Sequence, residues 1–269
     1  MAQTESDWEL LIVDDGSTDD THEVLMAYDA DPRIHYLYQP NQGQSVARNA
    51  ALARAQGKYI GFLDSDDVWF AEKLERQIAA FEAHPDVGIV HGDETVIDEQ
   101  GREVSQVNMQ RYSGHITPYL LAENSVSITT TLVRRECFDT MGVFDTRYGV
   151  ADDFELWLRF SARCRFYYEP VLVAAYRVMP DQISSDKRRR FSANERIIQD
   201  FLARYGGCLS PEERRWGLAR FNVRKARYFA AAGDRRTALR AIGHAFGLDP
   251  LNPVVWRGVY RVINPVRSV

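Results

Sequence analysis

Three clusters of carboxylates in this sequence have residue types and spacing that could do chemistry. The first, Asp64-Ser65-Asp66-Asp67, ends the apolar run Tyr59-Ile60-Gly61-Phe62-Leu63. If that run is a buried strand, side-chain alternation puts Asp64 and Asp66 on one face. Two carboxylates on one face repel unless a cation sits between them. The hard ions Mg2+ and Mn2+ take oxygen ligands, and a substrate's phosphates can fill the positions that one or two carboxylates leave open. Asp64, Ser65 and Asp66 are therefore a candidate site for Mg2+ or Mn2+ and a diphosphate, with Asp66 and Asp64 as the metal ligands. The competing reading is an acidic turn that only caps the helix after it.

The second cluster, Asp14-Asp15-Gly16-Ser17-Thr18-Asp19-Asp20, follows the apolar run Leu10-Leu11-Ile12-Val13. A loop at the carboxyl end of a strand is where open α/β sheets bind ligands, and Asp14 or Asp15 there can accept hydrogen bonds from a base or ribose. The spacing fits neither a phosphate-binding loop, nor a dinucleotide fingerprint, nor a calcium loop, and a solvated capping loop is the alternative. The third cluster, Asp152-Asp153, precedes the apolar helical face of Phe154, Trp157 and Leu158. That places both acids at a helix amino end, where the dipole favours a carboxylate, whether for capping or for chemistry. Arg48 lies in the first turns of an alanine-rich helix, a position the dipole disfavours for a cation, which hints at an anionic or carbonyl partner.

The elements that must position these groups alternate. A strand ending at Val13 leads through the first acidic loop into a helix with Ser17 or Thr18 as its N-cap. A strand over 34–38 and a helix over 45–56 follow, and then the strand that ends at Asp64. This βαβαβ order predicts an α/β fold with a mixed, mostly parallel sheet flanked by helices. Further on come a helix over 71–84, a strand over 87–91, a polar stretch over 93–114 where an acceptor would enter, and strands over 128–134, 165–168 and 171–176. From Lys187 onward the pattern is helical only, with Ser210-Pro211-Glu212-Glu213 reading as a capping box. Residues 234–250 look like half of a tetratricopeptide repeat, too little for a peptide-binding array. The expected division is 1–186 for the α/β domain and 187–269 for a helical extension.

Three motifs in order carry a resemblance: Leu11-Ile12-Val13-Asp14-Asp15-Gly16-Ser17-Thr18-Asp19, then Asn41-Gln42-Gly43 with Ala47-Arg48-Asn49, then Phe62-Leu63-Asp64-Ser65-Asp66-Asp67. Together they resemble the signature series of family 2 glycosyltransferases, which have the GT-A nucleotide-sugar fold, over roughly residues 8–185. Met141-Gly142-Val143-Phe144-Asp145 is similar to the family's Gly-x-Phe-Asp turn. The resemblance implies that Asp15 meets the nucleobase, Arg48 the base or diphosphate side, Asp64 the ribose and Asp66 the metal-bound diphosphate. It also implies that Asp153, partnered by Asp152, deprotonates the acceptor hydroxyl. The function so implied is metal-dependent, inverting transfer of a sugar from a nucleoside-diphosphate donor, expected to be a UDP-sugar, to a glycan or lipid-linked hydroxyl in cell-envelope polysaccharide synthesis. There are two departures. Met179 stands where many relatives have a histidine, and a thioether is a poor partner for a hard ion. Only seven residues precede Trp8, where relatives have a further strand and helix, so a start codon placed too far downstream or a truncated gene is expected. A truncated, non-catalytic relative that binds a partner through its helical tail is the alternative function.

Composition bounds these readings. A formal charge of -5 over 269 residues argues against a nucleic-acid partner, which needs a basic face. Cys137, Cys164 and Cys208 are odd in number and widely spaced, which suits a reducing cytoplasm better than a disulfide framework. No apolar run approaches the roughly 18 residues of a membrane span, and the polar start does not read as a signal peptide. The expected location is cytoplasmic, with at most peripheral contact at the inner face of the plasma membrane. The run Lys187-Arg188-Arg189-Arg190, together with Arg257, Arg261 and Arg267, would make that contact, unless it is simply a solvated basic linker.

Overall fold

The structure, a computed structural model, describes residues 2–107, 109–179, 182 and 186–264. Two compact units are present, one from 1–114 and 126–197, the other from 115–125 and 198–269.

In the first unit, β1 (Leu10–Asp14) pairs in parallel with β2 (Ile34–Tyr38) across the short helix α1 (Thr21–Met26). Helix α2 (Gln44–Leu52) then leads to a six-stranded sheet. Its strands are β3 (Tyr59–Gly61), β4 (Val68–Trp69), β5 (Val87–Ile97), β6 (Glu103–Gln106), β7 (Thr131–Arg134) and β8 (Arg165–Arg177). The order is β3-β7-β5-β8-β4, with β6 added to β5. Helices α3 (Lys73–Ala83), α5 (Arg135–Met141), α6 (Asp152–Ser161) and the start of α7 (Lys187–Tyr205) complete the unit. Among its most deeply buried residues are Ile89 and Val90 on β5, Val133 on β7, Phe166 and Val173 on β8, and Trp157, Leu158 and Phe160 on α6.

The α/β class and the mixed sheet flanked by helices are as expected. Among the described residues β1–β2 and the long β5–β8 pair are parallel, and the shorter β3–β7, β4–β8, β5–β6 and β5–β7 pairs are antiparallel. Strand β3 pairs with β7, more than 70 residues away, rather than with β1 or β2, and local alternation cannot specify such a choice. The two strands expected over 165–176 are one, β8. Its register against β5 jumps from His91↔Tyr168 to Asp93↔Leu172, so Glu169-Pro170-Val171 bulge out of the ladder, where a proline lacking an N–H is tolerated. The N-cap expectation also fails: α1 starts at Thr21, because the Ser17 N–H is already donated to Asp14 Oδ1 at 2.7 Å and the loop continues to Asp19, which takes the Thr21 N–H and hydroxyl.

The second unit pairs α4 (Thr117–Ala122) with the C-terminal helices α8 (Pro211–Ala231), α9 (Arg235–Leu248) and α10 (Pro253–Ile263). The capping box at Ser210 and Glu213 is present, with Pro211 at N1. Gly217 lets α8 approach α4, since a Cβ there would lie 2.7 Å from both Leu121 Cβ and the Pro118 carbonyl. Arg224 of α8 donates to the Ala122 carbonyl at 2.9 Å, satisfying the end of α4. Small residues Ala219, Ala226, Ala241 and Ala245 form the seam between α8 and α9, and Val223, Ile242 and Val255 fill it. Among the described residues no helix is long and apolar enough to cross a membrane.

One buried group in the first unit has a pH signature. His91 on β5 is fully buried, with Nε2 3.0 Å from the Tyr112 carbonyl and no partner at Nδ1. Burial, helped by the Arg111 charge, pushes its pKa from 6.5 down to about 4. The folded state thus holds this ring neutral, so its stabilisation is present above pH 6.5 and is lost as pH falls to about 4. Asp67 has the opposite sign in the same window, because burial raises its pKa from 3.8 to about 7 and protonation favours the fold. The difference between wild type and His91→Gln isolates the histidine. Between pH 7 and pH 4 the wild type is expected to lose up to about 3 kcal/mol more than the variant, measured by urea unfolding.

Candidate functional site

The acidic turn sits just past the end of β3. Phe62 anchors it, packing edge-on against Phe138 and Phe144, and the strand has ended at Gly61. Asp64 and Asp66 are therefore not related by strand alternation, contrary to the sequence expectation. Instead Asp64-Ser65-Asp66-Asp67 form a turn closed by the Asp67 N–H donating to the Asp64 carbonyl at 3.0 Å. Arg177 at the end of β8 staples this turn: its backbone N–H donates to Asp67 Oδ1 at 2.9 Å and its Nε to the Asp66 carbonyl at 2.8 Å. Ser65 is exposed, and Asp64 and Asp66 are half-exposed.

Arg48 joins this turn to the third cluster. Its Nη2 lies 2.5 Å from Asp64 Oδ1 and its Nη1 3.0 Å from Asp152 Oδ2. Burial works against the guanidinium's charge, but Asp64 and Asp152 outweigh it and raise the pKa further. Asp152 is buried and held by four donors: Gln44 Nε2 at 2.9 Å, Ser45 Oγ at 2.8 Å, Arg48, and the Asp153 N–H at 3.0 Å. It is thus a fixed anionic post at the amino end of α6. Asp153 is next to it and remains half-exposed. Burial and the neighbouring Asp152 charge raise its pKa above the ordinary carboxylate value, opposed by Arg190 and Arg48. A raised pKa is what a carboxylate that must take up a proton near neutrality requires.

The first acidic loop is held by its own hydrogen bonds. Asp14 is buried and both of its oxygens are taken, Oδ1 by the Ser17 N–H at 2.7 Å and Oδ2 by the Tyr36 hydroxyl at 2.6 Å. The Tyr36 bond comes first among the causes that hold Asp14 below its ordinary pKa, and the same bond pushes Tyr36 up to about 12. Asp14 therefore positions the loop. Asp15 accepts from Gln39 Nε2 at 2.6 Å, the Gln42 N–H at 2.9 Å and the Gly43 N–H at 2.7 Å. Burial pushes its pKa up, and these bonds more than reverse that. They hold the turn from which α2 and Arg48 start. Gly16 permits the close approach of the two loops, since at φ 82° a Cβ would meet the Asn41 backbone nitrogen at 2.7 Å.

Several residues of this arrangement were given no role from the sequence. Asn49 exchanges two hydrogen bonds with the backbone of Phe144, at 2.9 and 3.0 Å, tying α2 to the Gly142–Asp145 turn. Gln44 and Ser45 reach Asp152 from over 100 residues away, and no local pattern marks them. In the segment after β8, Gln182 Nε2 is 3.4 Å from Asp66 Oδ2, while Met179 is exposed. Pro180, Asp181, Ile183 and Ser184 of that segment, and Arg267, lie outside the described residues.

The donor set bears on the metal. Among the described residues no group of three His, Cys, Asp or Glu side chains could hold an ion. Two half-exposed carboxylates on one turn supply only oxygen, which fits Mg2+ or Mn2+ with diphosphate oxygens and water completing the shell and does not fit a soft ion. A groove of about 590 Å3 lies elsewhere, against β1 and β2, and none of these site acids lines it.

Several comparisons bear on identity. In the solved complex of Staphylococcus aureus TarS 1–349 with UDP-GlcNAc, the chain superimposes with a TM-score of 0.71 at 19% identity, covering 99% of this chain and 83% of that one. At that identity the likeness shows the fold. An uncharacterized glycosyltransferase of Rickettsia bellii is 32% identical over 163 residues, 61% of this chain and 23% of the relative. A Bacillus subtilis protein provisionally named teichuronic acid biosynthesis glycosyltransferase TuaG is 54% identical over 80 residues, 29% of this chain and 32% of that protein. The chain thus spans about a quarter of the length of the Rickettsia relative. Residues 1–146, more than half of the chain, match the family described as glycosyl transferase family 2. With its acidic turn, its arginine bridge and its GT-A architecture, the chain belongs to the family 2 glycosyltransferases.

Proposed function

We propose that this site binds a nucleoside-diphosphate sugar, a UDP-sugar in the first instance, and transfers the sugar with inversion to a hydroxyl of a glycan or lipid-linked acceptor in cell-envelope polysaccharide synthesis. The observation that carries the reading is the Arg48 bridge, which holds the Asp64 turn and the Asp152–Asp153 helix start in one constellation. Asp153 takes the proton from the acceptor hydroxyl as its oxygen attacks the anomeric carbon. The bond from that carbon to the diphosphate breaks on the opposite face, and no covalent enzyme intermediate is needed. Asp152 keeps Asp153 oriented and keeps its carboxylate basic by like charge. Asp66 and Asp64 would hold Mg2+ or Mn2+, whose positive charge would offset the charge that develops on the diphosphate. Arg48, paired with both carboxylates, acts by positioning them. The TarS complex with UDP-GlcNAc supports a nucleotide-sugar donor by analogy of fold.

The test is calorimetry with UDP in the presence and absence of Mn2+. Wild type is expected to bind UDP at least tenfold more tightly with the ion, and Asp66→Ala to lose that dependence while keeping its melting temperature. Wild-type binding that is indifferent to Mn2+ would remove the metal from the reading. No binding of UDP at all would favour the non-catalytic partner-binding alternative.

A further inference from the structure

We infer that the outer face of α9 and α10 is a docking surface for an anionic lipid bilayer. The fold leaves a strip of apolar side chains on these two helices exposed. On α10, Trp256, Tyr260 and Ile263 are 53%, 65% and 69% exposed, while Val255 and Gly258 on the opposite side are buried. At about 100° per residue these three lie within about 60° of one another, a single stripe along the helix. On α9, Leu239 and Phe246 are likewise exposed and seven residues apart, so they share a stripe. The two stripes are continuous, because Phe246 and Trp256 meet edge-to-face with centroids 5.3 Å apart. Leu251, in the link between the helices, is 89% exposed. The Trp256 indole N–H is satisfied by the Pro250 carbonyl at 2.8 Å, so the exposed ring offers hydrocarbon without an unpaired donor.

Charge selects the occupant. Arg235, Arg236 and Arg240 flank the stripe on α9, Arg257 and Arg261 flank it on α10, and all five are exposed. Neither helix contains an acidic residue. Over 235–263 five arginines stand against one acid, Asp249, a net of +4 in a chain whose total is -5, with Asp234 capping α9 just outside that stretch. A second copy of this face would set arginine against arginine, and a protein partner would need matched acids around a flat apolar centre. Trp, Phe, Tyr, Leu and Ile on one strip with arginines along its margins are the makeup of a helix that lies in the bilayer interface. There the rings enter the headgroup boundary and the guanidinium groups meet lipid phosphates. The surface takes Arg257 and Arg261 from the basic contact expected from the sequence, without the Lys187–Arg190 run, and it needs no catalytic reading to be true.

Flotation of the full chain with vesicles tests it directly. Vesicles of phosphatidylcholine alone are compared with vesicles holding about three parts in ten phosphatidylglycerol, at low and at physiological salt. Wild type is expected to float with the anionic vesicles and to release as salt rises. Tryptophan emission should shift to the blue on binding, and Trp256→Phe, which leaves the other four tryptophans of the five in place, should remove the shift. Arg257→Glu with Arg261→Glu is expected to weaken partitioning by at least about 20-fold, and Tyr260→Ser with Ile263→Ser by at least about 10-fold. These side chains are exposed, so the melting temperature should hold. No flotation with anionic vesicles, or flotation untouched by both double variants, overturns the proposal. Sedimentation showing a concentration-dependent dimer that the Tyr260→Ser/Ile263→Ser pair abolishes also overturns it, in favour of a second copy.

Discussion

Asp153→Asn is expected to lower kcat by a factor of about 100 to 10,000 while leaving UDP binding and thermal stability near wild type. Asparagine keeps the volume and the polar contacts of a carboxylate but cannot hold the acceptor's proton. A general base must be ionised to work, and Asp153 carries a pKa raised by burial and by Asp152. Wild-type kcat/KM should therefore fall as pH drops through a value above the ordinary aspartate range, and that limb should vanish in the variant. Asp152→Asn separates the two roles. It would weaken the Arg48 pair, disturb Gln44 and Ser45 as well, and lower stability together with rate. If Asp153→Asn turned over at the wild-type rate, the base would be another group and the proposed chemistry would fail.

Arg48→Met is expected to destabilise the fold by about 3 to 5 kcal/mol, a drop in melting temperature on the order of 10 °C. The two halves of the bridge differ in weight. The Asp152 side chain is 2% exposed and that of Arg48 13%, so removing the guanidinium leaves a buried carboxylate facing only neutral donors and close to Asp153. The Asp64 side chain is 38% exposed, and water screens its half. Arg48→Lys should recover little, since a single ammonium cannot span two carboxylates as the planar fork does. Adding Asp152→Asn to Arg48→Met should restore part of the loss, because the uncompensated charge is gone. Calorimetric melting of the four proteins reads this cycle. A single variant that melts with wild type would mean the bridge has no net stabilising effect and that its role lies in binding alone.

Helix α6 was visible because Phe154, Trp157 and Leu158 repeat at helical spacing and are buried as that spacing requires. The capping box at Ser210 was visible because its hydrogen bonds close over three residues. The pairing of β3 with β7 was not legible, because a βαβαβ order says which strands exist and not which ones pair. Asp14 was grouped with ligands because its type and place suit one; that Tyr36, 22 residues on, donates to it is a partner no local pattern marks. Lys73 is buried beside Trp69, with Nζ donating to Gln77 and the Thr131 carbonyl, contacts that no local pattern marks.

By itself the sequence determined the family, the order of strands and helices, and which acids stand at element ends. Those properties follow from backbone periodicity and from caps that act within a few residues. Only the tertiary structure decided that Arg48 spans Asp64 and Asp152, that Asp14 and Asp15 hold loops, and that residues 115–125 pack with the C-terminal helices. Arg48 and Asp152 are 104 residues apart in the chain. The energy of such a pair depends on distance and burial, and neither exists until the chain has closed on itself.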